Sequence, residues 1–364
     1  MKTHRNLYEK IYDFDNLHKA YLEARKNKRF RDEVLMFSAN LEENLINLQN
    51  HLIYQTYKVG RYKERYVHIP KTRLIMALPF ADRVVQWAVY RVVQPIFRKS
   101  YISTTYGSLE GGGALAAMTK LQYWLRLFRN KHDRSYVLKL DITKFFFRVP
   151  HDVLMRVLRK KIADERLLWL LETIFRSEDT PFGFHEDVAD VMTGERLWGI
   201  GMPVGNLLSQ MMANAVLNEL DQYVKRELRV KYYMRYMDDM CIISSDKKEL
   251  HELKQLIDEY LTSNLGLALN NKSSIRPTSL GVEFVGYRIW ADKTKMKKAT
   301  ALRMKRRLQV IKKYYENGEF PLEKCKPVLM GYLGLLQRCS STNLRDKILE
   351  DFVLVRKCPP EEIE

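Results

Sequence analysis

The 364-residue chain carries 62 Lys and Arg against 44 Asp and Glu, a formal net charge of +18, and 46% of its residues are apolar. That apolar share excludes a disordered basic tail, and the length provides for two or three domains with a sizeable core. The charge favours a polyanionic partner, with nucleic acid ahead of a membrane surface. Cys241, Cys325, Cys339 and Cys358 form no CxxC pair and have no His at zinc-finger spacing, so they read as reduced thiols of a cytosolic protein. The first residues, MKTHRNLYEKIYDF, lack a signal-peptide core, and no apolar run approaches the roughly 18 residues of a membrane span. A cytoplasmic protein without membrane contact is expected.

In chain order, residues 1–60 read as helices, with Leu35, Phe37, Leu41, Leu45, Leu48 and Leu52 recurring mostly at three- and four-residue steps. Residues 62–79 predict two short strands bearing Lys63, Arg65, Lys71 and Arg73. Pro79 ends them, and Asp82 suits the first turn of a helix reaching about Phe97. A glycine-rich turn at 107–113 leads into a helix over 114–129; alone, such a turn is a weak sign of a phosphate cradle. Residues 135–141 predict a buried strand ending in Asp141, followed by Phe145-Phe146-Phe147.

Helices are expected over 152–162 and 165–175, then a long amphipathic one over 207–228 and another over 247–264. The runs 230–236 and 240–244 are rich in Val, Tyr, Ile and Met without Gly or Pro, and read as a hairpin with Asp238 and Asp239 at its tip. Between Lys293 and Lys313 all ten charged residues are Lys or Arg, on a helix with Leu302, Leu308 and Ile311 facing inward. Such a helix repels itself unless a polyanion neutralises it. Gly331-Tyr332-Leu333-Gly334 reads as a turn beside it.

Adjacent Asp residues resist burial unless a cation is bound, so Asp238-Asp239 is either a solvated turn or a Mg²⁺ site. Asp141 bears on that choice: two strands from distant sequence could bring three carboxylates together. Three carboxylates are what two Mg²⁺ ions about 4 Å apart require in nucleotidyl transfer.

Four segments in order then carry a resemblance. Asp141-Ile142-Thr143-Lys144-Phe145-Phe146, Tyr236-Met237-Asp238-Asp239, the run Leu267-Ala268-Leu269-Asn270-Asn271-Lys272 and Gly281-Val282-Glu283-Phe284-Val285-Gly286-Tyr287 resemble the first catalytic strand, the catalytic hairpin, the lysine-bearing segment and the primer-grip hairpin of reverse transcriptases. The resemblance spans roughly residues 35–340. It implies an α+β right-hand polymerase fold with fingers, a palm of antiparallel sheet flanked by helices, and a helical thumb. The expected divisions are an N-terminal helical extension (1–60), fingers with the start of the palm (61–135), palm (136–290) and basic thumb with tail (291–364).

The resemblance also implies roles. Asp141, Asp238, Asp239 and the carbonyl of Ile142 would hold two Mg²⁺ ions, with Mn²⁺ a substitute, and Lys272 would act as general acid for pyrophosphate. Lys71, Arg73, Phe146, Val204, Gly205 and Gln210 would contact the dNTP, with Phe146 excluding a 2′-hydroxyl. Gly286, Tyr287, Lys297, Lys298, Arg303, Arg306 and Arg307 would hold the primer–template duplex, mostly through phosphates.

Pro203-Val204-Gly205-Asn206 followed by Ser209-Gln210 departs from the retroviral and group II intron pattern, which has Gln where Val204 stands. It resembles the reverse transcriptases of diversity-generating retroelements, whose members are bacterial or phage-encoded. That kinship implies error-prone cDNA synthesis, a structured template RNA and a small basic accessory protein; the absence of a recognisable maturase extension also points to partners. Antiphage defence-associated reverse transcriptases share much of this architecture and remain an alternative. An RNA-dependent RNA polymerase is opposed by Phe146, and a non-catalytic RNA scaffold by the full set of acids with Lys272.

Overall fold

The computed structural model describes residues 3–68, 72–188 and 191–356. Lys71 and Cys358 lie outside these residues. The chain forms two compact units, each drawn from separate stretches of sequence. The first takes the described residues of Met1–Ser108, Lys139–Cys241 and His251–Ser274, and the second those of Leu109–Leu138, Ile242–Leu250 and Ile275–Glu364.

In the first unit, helices Tyr8–Tyr12, Phe14–Ala24 and Asp32–Ala39 pack on the long helix Phe80–Arg98, and Leu41–Ile53 packs on those three. Asp164 accepts from the N–H groups of Leu7 and Tyr8 at 2.7 and 2.9 Å, and caps its own helix through Leu167 N–H. One carboxylate thereby ties the start of the chain to helix Glu165–Phe175. Leu45, Leu48 and Leu52 are buried as expected, but Leu35 is exposed, because the chain breaks at Asn40 and the two flanking helices do not share one apolar stripe.

Strands Lys63–Val67 and Arg73–Ala77 pair antiparallel, with Leu74 and Met76 turned into a core that includes Phe182 and Phe184. Asp82 stands in the first turn of helix Phe80–Arg98, as expected. It is buried, accepting from Tyr57 Oη at 2.5 Å and from Gly60 N–H at 3.2 Å. Helix Leu207–Gln222 packs against Phe80–Arg98 and His151–Arg159. It is buried on nearly every face rather than amphipathic, and of its internal polar groups Asn214, Asn218 and Asp221 are accommodated by hydrogen bonding.

A four-stranded sheet has the order Tyr233–Tyr236, Asp239–Ser244, Tyr136–Leu140, Ser274–Pro277. Val137, Leu138 and Leu140 of strand Tyr136–Leu140 are buried, as the apolar run predicts.

The second unit contains a three-stranded meander, Val282–Phe284, Tyr287–Ile289 and Thr294–Met296, followed by helices Lys298–Glu316, Leu322–Leu336 and Thr342–Asp351. Lys293 to Met296 therefore precede the basic helix. Met304, Leu308 and Ile311 are its buried face, while Leu302 is exposed. Gly331 and Gly334 lie inside a helix, not in a turn; an added Cβ would meet nothing within 4 Å at either. Among the described residues no helix is long and apolar enough to cross a membrane.

Candidate active site

Asp141 follows directly on strand Tyr136–Leu140, and its backbone is pinned. Its N–H donates to Ser273 Oγ at 3.3 Å and its carbonyl accepts from Asn270 N–H at 2.7 Å. Ile142 bridges antiparallel to Leu269, and Thr143 N–H donates to Ala268 O at 3.0 Å. The flanking residues make the hydrogen bonds of such a bridge, so the Ile142 carbonyl faces away from the 268–270 segment. The same segment continues to Lys272, whose N–H donates to Asn270 Oδ1 at 3.0 Å and whose side chain is exposed.

The second acidic element is a two-residue turn, Met237-Asp238, between strands Tyr233–Tyr236 and Asp239–Ser244. Met237 has φ +55°, a left-handed conformation that costs a non-glycine residue roughly 1–2 kcal/mol. Burial holds the Asp238 carboxyl above its usual pKa, and Asp141 adds to the rise. Asp239 is pushed up to about 6, by burial first, with Asp141 and Asp238 contributing against the attraction of Lys139. Lys139 Nζ lies 3.2 Å from Asp239 Oδ1, yet that buried oxygen receives no well-aligned hydrogen bond.

The three carboxylates thus sense one another, and burial leaves the charges of Asp238 and Asp239 poorly solvated. Hard divalent cations suit this oxygen set, and Asp141, Asp238, Asp239 and the outward carbonyl of Ile142 could supply ligands. Among the described residues no group of three or more His, Cys, Asp or Glu side chains is arranged so that it could hold a metal ion, so the three acids do not form a ready-made site by themselves. An ion here would therefore take further oxygens from substrate phosphates and water.

Arg73 is exposed and near enough to lower the Asp238 pKa. Phe146 is half-buried, edge-on to Phe145 at 5.5 Å between ring centres, and its carbonyl accepts from Met202 N–H at 2.6 Å. Val204 O accepts from Met76 N–H at 3.0 Å, and a Cβ at Gly205 (φ +105°) would sit 3.1 Å from Ile75. The Val204-Gly205 pair is thereby seated on the strand that carries Arg73. Gln210 Oε1 accepts from Ser108 Oγ at 3.0 Å.

In the second unit, Val285 and Gly286 (φ +45° and +89°) form the tight turn between strands Val282–Phe284 and Tyr287–Ile289. Tyr287 is buried and offers no free ring face. Lys297 pairs with Glu283 at 2.8 Å, and Arg303 Nε donates to Ala299 O at 3.3 Å; Lys298, Arg306 and Arg307 are exposed.

Sequence reasoning missed three cations. Lys139 stands two residues before Asp141, so both side chains project from the same face of the strand. Lys144 (φ +46°) donates its ammonium to the carbonyls of His185 at 3.2 Å, Glu186 at 2.9 Å and Val188. Arg235 interrupts an apolar strand, a signal that a buried acid must exist elsewhere to pair with it.

The profile described as "Reverse transcriptase (RNA-dependent DNA polymerase)" matches residues 62–289, more than half of the chain. The chain belongs to the reverse transcriptase family. Membership brings with it the right-hand polymerase fold and makes the protein an RNA-directed DNA polymerase, a nucleotidyltransferase acting on nucleic acid.

Protein YkfC of Escherichia coli is 24% identical over 291 residues, covering 70% of this chain and 73% of that protein. The putative COX1/OXI3 intron 2 protein of Saccharomyces cerevisiae is 21% identical over 286 residues, covering 61% of this chain but only 31% of the relative. Among solved structures, telomerase from Candida albicans in complex with a fragment of telomeric RNA covers 82% of this chain and 58% of its own, with TM-score 0.46 and 12% identity.

Proposed function

We propose that this reverse transcriptase extends a DNA primer along an RNA template, with Asp141, Asp238 and Asp239 holding two Mg²⁺ ions at the reacting phosphate. The observation that carries this reading is the electrostatic convergence of Asp141, held at its strand end by segment 268–270, with the half-buried Asp238-Asp239 turn. When bound, the ions would supply Lewis-acid stabilisation of the attacking and leaving oxygens.

The chain's own residues do the rest. Arg73 and Lys71 meet the triphosphate, and Lys272, on the segment that pins Asp141, gives a proton to the departing pyrophosphate. Phe146 fills the space a 2′-hydroxyl would need. Val204, Gly205 and Gln210 bound the nascent base pair, while the turn at Gly286 meets the primer strand and the buried Tyr287 supports that hairpin from within. Lys297, Lys298, Arg303, Arg306 and Arg307 follow the A-form backbone.

Val204 favours the diversity-generating branch. An aliphatic side chain in place of Gln removes a hydrogen-bonding anchor beside the nucleotide, so mispairs are tolerated, particularly opposite template adenine. The enzyme would then act in the cytoplasm of a bacterium with a structured RNA and a small basic accessory protein. A defence role is the second reading, since defence-associated bacterial reverse transcriptases share much of this architecture.

Primer extension on an RNA template with dNTPs and Mg²⁺, beside an Asp238→Ala/Asp239→Ala control, tests the core reading. Activity that survives in the control would sink it. Sequencing the products separates an error-prone diversifier from an accurate copier.

A further inference from the structure

Behind the acidic turn lies a polar network closed to water. Arg235, on the strand entering the turn, and Asp221, near the end of helix Leu207–Gln222, both have side chains with no exposure. Arg235 Nε donates to Asp221 Oδ1 at 2.8 Å and Nη2 to Oδ2 at 2.7 Å. Tyr233 Oη adds a bond to Oδ1 at 2.7 Å, and Thr105 Oγ1 one to Oδ2 at 3.0 Å. The carboxylate is thereby saturated, the condition under which a buried ion pair is tolerated.

The remaining guanidinium nitrogen faces the turn. Nη1 donates to Met237 O at 3.0 Å and to Asn214 Oδ1 at 2.9 Å. Asn214 Nδ2 donates in turn to Gly107 O at 2.8 Å. Gly107 lies so close to the turn that an added Cβ would stand 2.5 Å from Met237 N. The approach is maintained by main-chain bonds along the same edge, Arg235 N–H to Thr104 O at 3.0 Å and Tyr106 N–H to Arg235 O at 2.9 Å. Met237 is thus gripped at its carbonyl by Arg235 and blocked at its amide by Gly107, with Asn214 joining the two.

We propose that Arg235 is a positioning residue, which with Asn214 and Gly107 clamps Met237 in its left-handed conformation and so sets the direction in which Asp238 and Asp239 leave the hairpin. A hydrophobic pair would join helix to strand with comparable stability, but it could not reach two specific atoms of the turn. The catalytic consequence rests on the reading of Asp238 and Asp239 given above; the clamp itself does not.

Asn214→Ala is the decisive variant, because it cuts the link to Gly107 and leaves the Arg235–Asp221 fork whole. Gly107→Ala attacks the clamp from the opposite side, and Arg235→Gln is avoided because it strands a buried carboxylate. In both variants, hydrogen exchange in a peptide spanning residues 234–240 should quicken about tenfold, while exchange across helix Leu207–Gln222 stays as in the parent. In primer extension, kcat should fall about 10- to 100-fold, the effect of a misplaced catalytic group. KM for dNTP should stay within about twofold, because groups that act as a unit lose rate together, and the double variant should lose no more than the worse single.

Unchanged exchange in the turn overturns the clamp whatever the polymerase does. So does a rate loss that matches a lower burst amplitude, since that reports misfolding instead of misplacement. A parent enzyme that is itself inert, with quickened turn exchange in the variants, keeps the clamp and removes the catalytic reading of the two acids.

Discussion

Lys139 Nζ stands 3.2 Å from Asp239 Oδ1, on the strand Tyr136–Leu140 that Asp141 directly follows. Burial works against the charge of this ammonium, but Asp239, Cys241 and Asp141 together outweigh it and raise the lysine pKa. The reverse does not hold. Asp239 remains raised to about 6 even with Lys139 beside it, so one cation is too few for this group of acids.

That imbalance gives a stability prediction with a definite sign. The folded pKa of Asp239, about 6, exceeds the ordinary 3.8, so the ion-free folded state binds its proton more tightly than the unfolded state between those values. Its ionisation therefore destabilises the ion-free protein fully above pH 6, and the cost disappears as pH falls through 6 towards 3.8. Asp239→Asn copies the neutral acid and should stabilise the ion-free protein at pH 7 by up to about 3 kcal/mol. The gain should shrink towards pH 4 while polymerisation is lost. Urea denaturation of both proteins at pH 7 and near pH 4 measures it; a variant less stable than the parent at pH 7 contradicts the assignment.

A bound divalent cation should relieve the same repulsion. Mg²⁺ is expected to raise the melting temperature of the parent, with a gain of about 2.7 kcal/mol at a hundredfold excess over Kd. Asp238→Ala/Asp239→Ala should show no comparable rise, and chelation should return the parent to its starting value. Equal shifts in both proteins would place the ion elsewhere.

The parts of the site legible in the sequence are those whose local pattern is self-contained. Val-Leu-Lys-Leu before Asp141 and the runs around Asp238-Asp239 read as strands because they are short apolar stretches rich in Val, Ile, Tyr and Met and free of Gly and Pro, the composition of a buried strand. Lys139, Lys144 and Arg235 stayed hidden because their partners lie 40 or more positions away or on another element: Asp239, the 185–188 carbonyls, Asp221. A buried helix with internal Asn and Asp residues also imitates an amphipathic one until the strand and loop that satisfy those groups are known, as for Leu207–Gln222. Gly331 and Gly334 misled for the opposite reason, since helix packing tolerates both without any close neighbour.

Phe146 should govern sugar choice. Its carbonyl is fixed by Met202 N–H, so truncating the ring leaves the backbone in place. Phe146→Ala should raise the efficiency of ribonucleotide incorporation relative to dNTP by about 10- to 100-fold, the value of losing a steric block of a few kcal/mol. Single-nucleotide incorporation with matched dNTP and rNTP reads this directly, and an unchanged ratio removes the residue from the gate.

The exposed cations Lys298, Arg306 and Arg307 should contribute affinity without sequence preference. Each change to Gln is expected to weaken primer–template binding alike on unrelated sequences and to reduce the slope of log K against log salt by about 0.7–0.9. Titration at several salt concentrations provides the slope. Lys297, already paired with Glu283 at 2.8 Å, should give a smaller change.

Val204 yields the most specific expectation about fidelity. Its carbonyl is held by Met76 N–H and the next residue packs against Ile75, so the backbone here belongs to the strand of Arg73 and leaves the side chain as the variable part. Gln at this position can offer an amide to the nucleotide or template where Val offers only a methyl surface. Val204→Gln should therefore lower misincorporation opposite template adenine by about tenfold, the worth of one added hydrogen bond of roughly 1–1.5 kcal/mol. Overall extension on a matched template should change little. Deep sequencing of cDNA made by the two enzymes on one RNA measures the error spectrum, and identical spectra would assign the error rate to residues other than Val204.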